Sequence, residues 1–254
     1  MRGQTLQAII LAGGRGERLR PLTDDRPKPM VLVGDVPLLC YSIRWLKNAG
    51  IERIVISCGY RHSSISDYFG DGSKFGVSID YSVEQQPLGR GGGIKLASKK
   101  LWATKSPVIV LNGDTVTDLN LDDLYQEHAQ GGKPITITAT PLHCSYGTID
   151  LSDDGLAVAF REKPILPYWV NAGIYAVEPA TFAEFPDQGD HEELLFPQLA
   201  KELQLNAHKF KGFWKAIDTR KDLEDLKREK HRLGPTIEQQ ELSELFNRRR
   251  SSSS

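Results

Sequence analysis

The segment LQAIILAGGRGERLRPLTDDRPKPM, residues 6–30, decides the fold of this chain. It begins with a short apolar run, QAIILA (7–12), that stops at Gly13 and Gly14, a pattern typical of a buried parallel strand. The residues that follow are rich in arginine, proline and glycine and offer little that could form a core. Charge and flexible backbone therefore come directly after a buried strand, which is where an open α/β sheet usually binds its ligand.

Beyond this segment, apolar strand patterns alternate with amphipathic helix patterns. Strands are predicted at 53–59, 76–84, 106–114 and 135–140, and helices at 37–50, 63–70, 91–102 and 121–132. Over the first 140 residues this alternation predicts an α/β fold with a Rossmann-like, doubly wound, mainly parallel sheet flanked by helices.

The second half of the chain shows a different pattern. A hairpin, a strand, a helix, an extended segment and a last helix ending at Gly234 are predicted at 146–164, 169–179, 192–203, 208–218 and 220–234. We expect these elements to build a small lobe over the first half within one domain, 1–234, followed by a flexible, solvated tail at 235–254. The absence of an internal repeat in the sequence excludes a left-handed β-helix.

Composition argues against several classes of protein. The chain has 254 residues and a formal net charge of -1, so it lacks the basic excess of a nucleic-acid-binding protein. Cys40, Cys58 and Cys144 are odd in number and far apart, which favours reduced thiols. No apolar run approaches the roughly 20 residues that span a bilayer, and the N-terminus MRGQTLQ lacks the apolar core of a secretory signal. We therefore expect a cytoplasmic protein with no membrane or nucleic-acid partner.

The glycines after the first strand favour phosphate binding, because backbone N–H groups can approach oxyanions where no Cβ intrudes. A dinucleotide-binding motif would need a third glycine where Leu19 stands, and an acid after the second strand, which ends in SCGY. A P-loop would need Gly-Lys-Ser/Thr, which this segment lacks. The pattern instead predicts a basic loop over a polyphosphate, with Arg15, Arg18 and Lys28 as its cations. A solvated loop without a ligand is the alternative.

The segment LAGGRGERLRPLTDDRPKPM (11–30) closely resembles the signature of the sugar-1-phosphate nucleotidylyltransferases, in which G-G-x-G-[TE]-R-L-x-P-L-T precedes P-K-P. Further landmarks of this family follow in order up to about residue 230: EQQPLGRGGGIKLA, VLNGDT, FREKP, VNAGIY and FWKAIDT. The resemblance implies an Mg²⁺-dependent enzyme that transfers a nucleotidyl group from an NTP to a sugar 1-phosphate and releases pyrophosphate. It also implies a nucleotide-binding part at 1–140 and a sugar-binding, closing part at 141–234.

The same resemblance implies which residues act. Asp114 and Asp218 would hold Mg²⁺. Three cations would be catalytic: Arg18 at the β- and γ-phosphates, Lys28 at the α-phosphate and Lys163 at the phosphate of the sugar. The expected nucleotide-binding residues are Leu11, Ala12, Gly13, Gly14, Arg15, Gly16, Glu84, Pro87, Gly89, Asn112 and Gly113. The expected sugar-phosphate-binding residues are Gly147, Glu162, Lys163 and Asn171.

Glu84 stands at the position expected to recognise the base. A carboxylate only accepts hydrogen bonds, which suits the N1–H and N2–H₂ donors of guanine, whereas a pyrimidine would more naturally meet a Gln amide. The surrounding YSVEQQPLGRGGGIKLA is most similar to guanylyltransferases acting on heptose or mannose 1-phosphate, and we expect GTP as the donor. UTP, CTP or dTTP with another hexose 1-phosphate stay open, as does a non-catalytic homologue that binds nucleotide sugars.

Several features are left over. The glycines at 89 and 91–93 are expected to let the nucleoside lie flat on the backbone, but the family pattern does not explain Arg90 between them. His128, His143 and His191 lie outside the matched motifs and are expected to be structural or surface residues. The sequence leaves homo-oligomer formation open. A glycosyltransferase is disfavoured because NGDTVTD lacks the D-x-D spacing at Asp114.

Overall fold

The computed structural model describes residues 6–229, so the predicted helix end at Gly234 and the tail at 235–254 lie outside the described residues. The strands are β1 (Leu6–Leu11), β2 (Leu32–Val33), β3 (Val36–Pro37), β4 (Ile51–Cys58), β5 (Ser78–Val83), β6 (Val108–Asn112), β7 (Thr115–Thr117), β8 (Ile135–His143), β9 (Thr148–Leu151), β10 (Ala157–Arg161), β11 (Ile165–Val177), β12 (Leu205–Lys209) and β13 (Trp214–Ala216). The helices are α1 (Leu38–Asn48), α2 (His62–Phe69), α3 (Gly89–Ser98), α4 (Leu121–Gly131), α5 (His191–Leu194), α6 (Phe196–Lys201) and α7 (Arg220–Glu229).

Seven of these strands form one mixed sheet in the order β12-β8-β11-β6-β1-β4-β5. The pairs β1–β4, β1–β6, β4–β5 and β8–β12 are parallel, whereas β11 runs antiparallel to both β6 and β8. The predicted mainly parallel, doubly wound sheet is therefore confirmed. Its antiparallel member comes from the second half of the chain, where the alternation of strands and helices ceases.

The apolar run in β1 is buried on both faces of the sheet, because successive residues of a strand point to opposite sides. Ile9 packs in one cluster with Ile94 of α3 and Leu199 of α6. Its neighbour Ile10 packs in the other cluster, which contains residues of α1, α2 and α4. The carboxyl ends of β1, β4 and β6 consequently lie side by side at one edge, and their loops meet there.

The basic segment after β1 is held in place by a core contact that the sequence did not predict. Leu19 is fully buried and packs with Ile217, just after β13, and with Leu223 of α7. Gly16 has a φ of 68°, and a Cβ there would lie 2.8 Å from the Cβ of Lys28. The segment therefore folds back on itself under α7 and is not a freely solvated loop.

The second half departs from prediction in detail. The hairpin is confirmed as β9–β10, a separate two-stranded sheet. The single helix predicted at 192–203 is divided into α5 and α6, because Pro197 in the first turn of α6 has no N–H with which to continue the preceding helix. The extended segment at 208–218 is likewise divided, since β12 joins the main sheet while β13 pairs with β7. Across residues 6–229, no helix has the length and apolar character needed to cross a membrane.

Candidate active site

Most of the predicted nucleotide- and metal-binding residues line one cavity of about 660 Å³ at the carboxyl ends of the parallel strands. The predicted residues among its walls are Leu11, Gly13, Gly14, Gly16, Arg18, Lys28, Glu84, Pro87, Gly89, Asn112, Asp114 and Asp218. The walls also contain residues that were not predicted to bind a ligand: Glu17, Pro29, Ser57, Arg90 and Ala216.

Asp114 and Asp218 face the same point in this cavity, although 104 positions separate them in the sequence. The Nζ of Lys28 lies 2.5 Å from Asp114 Oδ2 and 2.7 Å from Asp218 Oδ1. Backbone pairing explains the proximity: β7, which follows Asp114, pairs with β13, which precedes Asp218, and Ile217 N–H donates to the Asp114 carbonyl. The two acids are therefore neighbours across a short antiparallel ribbon.

The charges around Asp218 favour its ionised form. Burial disfavours the charge on Asp218, but the hydrogen bond and charge of Lys28, together with Arg18, outweigh it and hold the pKa of Asp218 below its ordinary value. Arg18 Nη2 donates to Asp218 Oδ1 at 2.8 Å. In its present position the Lys28 ammonium is a cation placed between two carboxylates.

A hard divalent cation fits this donor set, because Mg²⁺ prefers carboxylate, phosphate and water oxygens. Asp114 and Asp218 would hold it. Among the described residues no group of three or more acidic, histidine or cysteine side chains forms a complete metal cluster. Substrate phosphates and water would therefore have to supply the other ligands, as is usual for Mg²⁺ in nucleotide enzymes.

Glu84 also lines the cavity and lies just after β5. Its Oε2 accepts from the backbone N–H of Leu88 at 3.1 Å, and its Oε1 lies 3.4 Å from the Ser57 hydroxyl, which donates to it. These bonds fix the carboxylate at the cavity wall. Because a carboxylate has about four lone-pair sites, both oxygens can still accept from a ligand.

Gly91 and Gly92 in α3 allow close contact with another part of the chain, whereas the sequence predicted that they let a nucleoside lie flat. A Cβ at Gly91 would lie 2.6 Å from Pro186, and one at Gly92 would lie 2.5 Å from the carbonyl oxygen of Asp187. Gly89, with a φ of 77°, is in equally close contact with Gly189. Because these glycines have no side chains, the segment before α5 can pack closely against α3. Of the three glycines, only Gly89 lines the cavity.

Arg90, which had no explanation in the sequence, is held by two carboxylates 100 or more positions away. Its Nε donates to Asp190 Oδ2 at 2.6 Å, and its Nη2 lies 2.7 Å from Glu192 Oε2. Both partners lie at the start of α5. The side chain therefore joins the glycine-rich start of α3 to α5 at the cavity wall.

The expected sugar-side residues lie outside the cavity walls. Glu162 and Lys163 follow β10, and 63% of each side chain is exposed. Gly147 is beside them, since a Cβ there would lie 3.1 Å from Glu162 Oε2. Asn171 lies in β11, where its side chain bonds to protein groups: Gly173 N–H, the Tyr175 hydroxyl and Glu192.

Three other expected nucleotide-binding residues also lie outside the cavity walls. Ala12 N–H donates to the Ser57 carbonyl, and Gly113 N–H donates to the Leu11 carbonyl. These two hydrogen bonds hold the carboxyl ends of β1, β4 and β6 close together. The Arg15 guanidinium lies over the Tyr60 ring, 5.6 Å from its centroid.

The remaining predictions concern histidine and cysteine side chains. His128 is buried and bonds to Thr136 and Glu178, which is a structural role. Cys40, Cys58 and Cys144 form no disulfide within residues 6–229. Burial, with a smaller effect of Glu84, raises the pKa of the Cys58 thiol to about 12, so this side chain is a poor nucleophile at neutral pH.

Comparisons with known proteins identify the family of this chain. A family model described as Nucleotidyl transferase matches residues 7–232. The D-glycero-alpha-D-manno-heptose 1-phosphate guanylyltransferase of Aneurinibacillus thermoaerophilus is 36% identical over 211 residues, which cover 82% of this chain and 89% of that protein. The mannose-1-phosphate guanyltransferase of Pichia angusta is also 36% identical, over 85% of this chain but only 62% of its own length.

Solved structures with a similar fold are also known. HddC from Yersinia pseudotuberculosis superimposes with a TM-score of 0.71 at 27% identity and covers 89% of this chain and 99% of that chain. HddC complexed with GMP-PN matches with a TM-score of 0.71 at 26% identity.

The sheet, the cavity at its carboxyl edge and the paired acids with their cations define an enzyme that transfers nucleotidyl groups. The chain belongs to the nucleotidyl transferase family, whose model spans nearly all of the described residues.

Proposed function

We propose that the protein transfers a guanylyl group from GTP to D-glycero-D-manno-heptose 1-phosphate or mannose 1-phosphate, in an Mg²⁺-dependent reaction that releases pyrophosphate. The convergence of Asp114, Asp218, Lys28 and Arg18 in one cavity carries this proposal. The base and the sugars are supported by relatives named as heptose- and mannose-1-phosphate guanylyltransferases.

In the proposed reaction an oxygen of the sugar phosphate attacks the α-phosphorus of GTP, and the bond to the bridging oxygen of the leaving pyrophosphate breaks. Both reactants are anions, so the protein must mainly neutralise charge and align the two groups. When bound at Asp114 and Asp218, Mg²⁺ would supply part of that neutralisation.

Two cations are suited to different parts of this task. Only 11% of the Lys28 side chain is exposed, and its ammonium is fixed beside both acids. This position suits binding of the α-phosphate, where charge changes during the reaction. Arg18 is 72% exposed and can reach outward to the β- and γ-phosphates. The backbone at Gly13 and Gly14 also lines the cavity and can add N–H donors there.

The sugar side of the proposal depends on the resemblance of FREKP and VNAGIY to the family. Lys163 would bind the phosphate of the sugar, while Glu162 and Gly147 would contact its hydroxyls. Since the Asn171 side chain bonds internally, its backbone is the part that remains for a sugar. A homo-oligomeric state and a cytoplasmic location stay predictions.

The test is a matrix of the four NTPs against glucose, mannose and heptose 1-phosphates, with pyrophosphate release measured with and without Mg²⁺. We expect the highest kcat/KM for GTP with heptose or mannose 1-phosphate, and loss of turnover on chelation. A preference for UTP, CTP or dTTP would refute the base assignment. Binding without turnover for every pair would favour the non-catalytic homologue.

A further inference from the structure

We propose that Arg90 is a positioning residue that, through Glu192, holds Asn171 and the adjoining bend of β11 in place for binding of the sugar phosphate. The inference rests on the proposed function. The family pattern leaves Arg90 unexplained. A chain of hydrogen bonds runs from this residue, on the cavity wall, through Glu192 to Asn171 in β11.

The first part of this chain joins α3 to α5. The guanidinium of Arg90 contacts two separate carboxylates, Asp190 and Glu192, and Asp190 in turn accepts from the Glu192 backbone N–H at 2.9 Å. A planar guanidinium can bridge two carboxylates in fixed directions, which the single ammonium of a lysine does poorly. Arg90 thus fixes the direction of the Glu192 side chain.

The second part joins α5 to β11. Glu192 Oε1 accepts from Asn171 Nδ2 and from the Tyr175 hydroxyl, both at 2.9 Å. Asn171 Oδ1 accepts from Gly173 N–H at 2.8 Å. One carboxylate therefore receives Arg90 on one oxygen and holds Asn171 with the other.

Asn171 lies where β11 becomes irregular. The register between β11 and β8 shifts between Asn171 and Tyr175. Gly173, inside this bulge, has a φ of 68°, and a Cβ there would lie 2.3 Å from Asn112 Nδ2 on the cavity wall. Bulges of this kind redirect a strand locally, and they are common beside active sites.

The bulge is also tied to the metal side of the cavity. Trp214 Nε1 donates to the Ala172 carbonyl at 2.8 Å, and Trp214 begins β13, the strand that leads to Asp218. Two restraints therefore hold residues 171–173. Arg90 acts on Asn171 through Glu192, and Trp214 of β13 binds the Ala172 carbonyl. Loss of the Arg90 bridge would release one of these two restraints.

A neighbouring ion pair provides the matched control. Lys95, one turn further along α3, lies 3.0 Å from Asp187 and joins the same helix to the same segment before α5. None of its described contacts reaches Glu192 or β11. Loss of this pair would weaken the packing of α3 without affecting the bridge.

The kinetic test compares Arg90→Thr, Arg90→Lys and Lys95→Thr with the wild type, using GTP and mannose 1-phosphate. We expect Arg90→Thr to raise KM for the sugar phosphate about 10-fold and KM for GTP by no more than about 2-fold, because charge-assisted hydrogen bonds are involved. Arg90→Lys should restore part of the loss, and Lys95→Thr should behave as wild type. An equal or larger effect on KM for GTP, or equal effects of Arg90→Thr and Lys95→Thr, would overturn the proposal.

Hydrogen–deuterium exchange of the ligand-free protein tests the link between Arg90 and β11 without any need for turnover, and so independently of the proposed function. Peptides covering 170–175 should exchange faster in Arg90→Thr and Glu192→Gln than in the wild type or Lys95→Thr. If the wild type turns over no substrate pair, the proposed function fails. The exchange rates then test the Arg90–Glu192–Asn171 bridge by themselves. Unchanged exchange at 170–175 refutes the bridge, whatever the turnover. Faster exchange without a change in KM for the sugar phosphate refutes its role in positioning.

Discussion

Acidification below neutral pH should destabilise this protein through His191. The side chain is fully buried and packs against the rings of Tyr175, Phe185 and Phe196, with centroids 5.4, 5.7 and 4.8 Å away. Neither ring nitrogen has a hydrogen-bond partner among the described residues. The closest acid oxygen, Asp190 Oδ1, is 3.6 Å from Nδ1, too far for a hydrogen bond.

The magnitude follows from the cost of charging this ring. Burial lowers the pKa of His191 from 6.5 to about 4, the nearby Asp190 opposing the change and Arg90 adding to it. The unfolded chain therefore binds more protons than the folded chain between these two values, so the free energy of unfolding falls as the pH falls. A difference of about 2.5 pH units, at roughly 1.4 kcal/mol each, gives about 3.5 kcal/mol. That contribution is complete above pH 6.5 and is lost progressively down to about pH 4.

Urea unfolding between pH 4.5 and 8 measures this effect. The matched variants are His191→Leu, which fills the aromatic site without a titratable ring, and His62→Gln at an exposed position of α2. The free energy of unfolding of the wild type should fall more steeply below pH 6.5 than that of His191→Leu, by about 2 kcal/mol or more at pH 4.5. His62→Gln should follow the wild type. Parallel curves for the wild type and His191→Leu would show that the buried ring does not govern acid stability.

The remaining predictions concern the proposed reaction. Asp114→Asn and Asp218→Asn should each lower kcat about 100-fold or more with an unchanged circular dichroism spectrum, because each removes one of the two proposed anionic metal ligands. Near-normal turnover would exclude that residue from the proposed metal site. Lys163→Ala should raise KM for the sugar phosphate about 10-fold and leave KM for GTP unchanged in steady-state assays, and the reverse pattern would contradict its assignment. Glu84→Gln should lower the ratio of kcat/KM for GTP to that for UTP about 10-fold, and an unaltered ranking of the four NTPs would disprove the guanine argument.

The fold could be predicted well wherever the pattern is local. The run QAIILA is apolar at every interior position, and it is buried on both faces of the sheet as β1. The turn residues of the hairpin and the alternation of strands and helices likewise depend only on neighbours in the chain. The prediction failed in detail at 192–203, where one proline divides an amphipathic pattern into α5 and α6.

The candidate site was predicted less completely. The resemblance selected Asp114, Asp218 and Lys28, and the structure brings them together within hydrogen-bonding distance. The part played by Arg90 could not be predicted, because its acidic partners lie in a segment that carries no recognisable motif. Gly91 and Gly92 could not be interpreted correctly either, since glycine indicates a close approach but does not identify the group that approaches.

The sequence by itself determined the buried first strand, the basic segment that follows it and the family to which the enzyme belongs. Each depends on residues close together in the chain, whose backbone preferences and periodicity act locally. Only the tertiary structure decided that Leu19 anchors the basic segment beneath α7 and that Arg90 is tied to Asn171 through Glu192. Those contacts depend on the order of strands in the sheet and on how the second half of the chain returns across it. Sheet order is set by the burial of many side chains together, so no single local stretch encodes it.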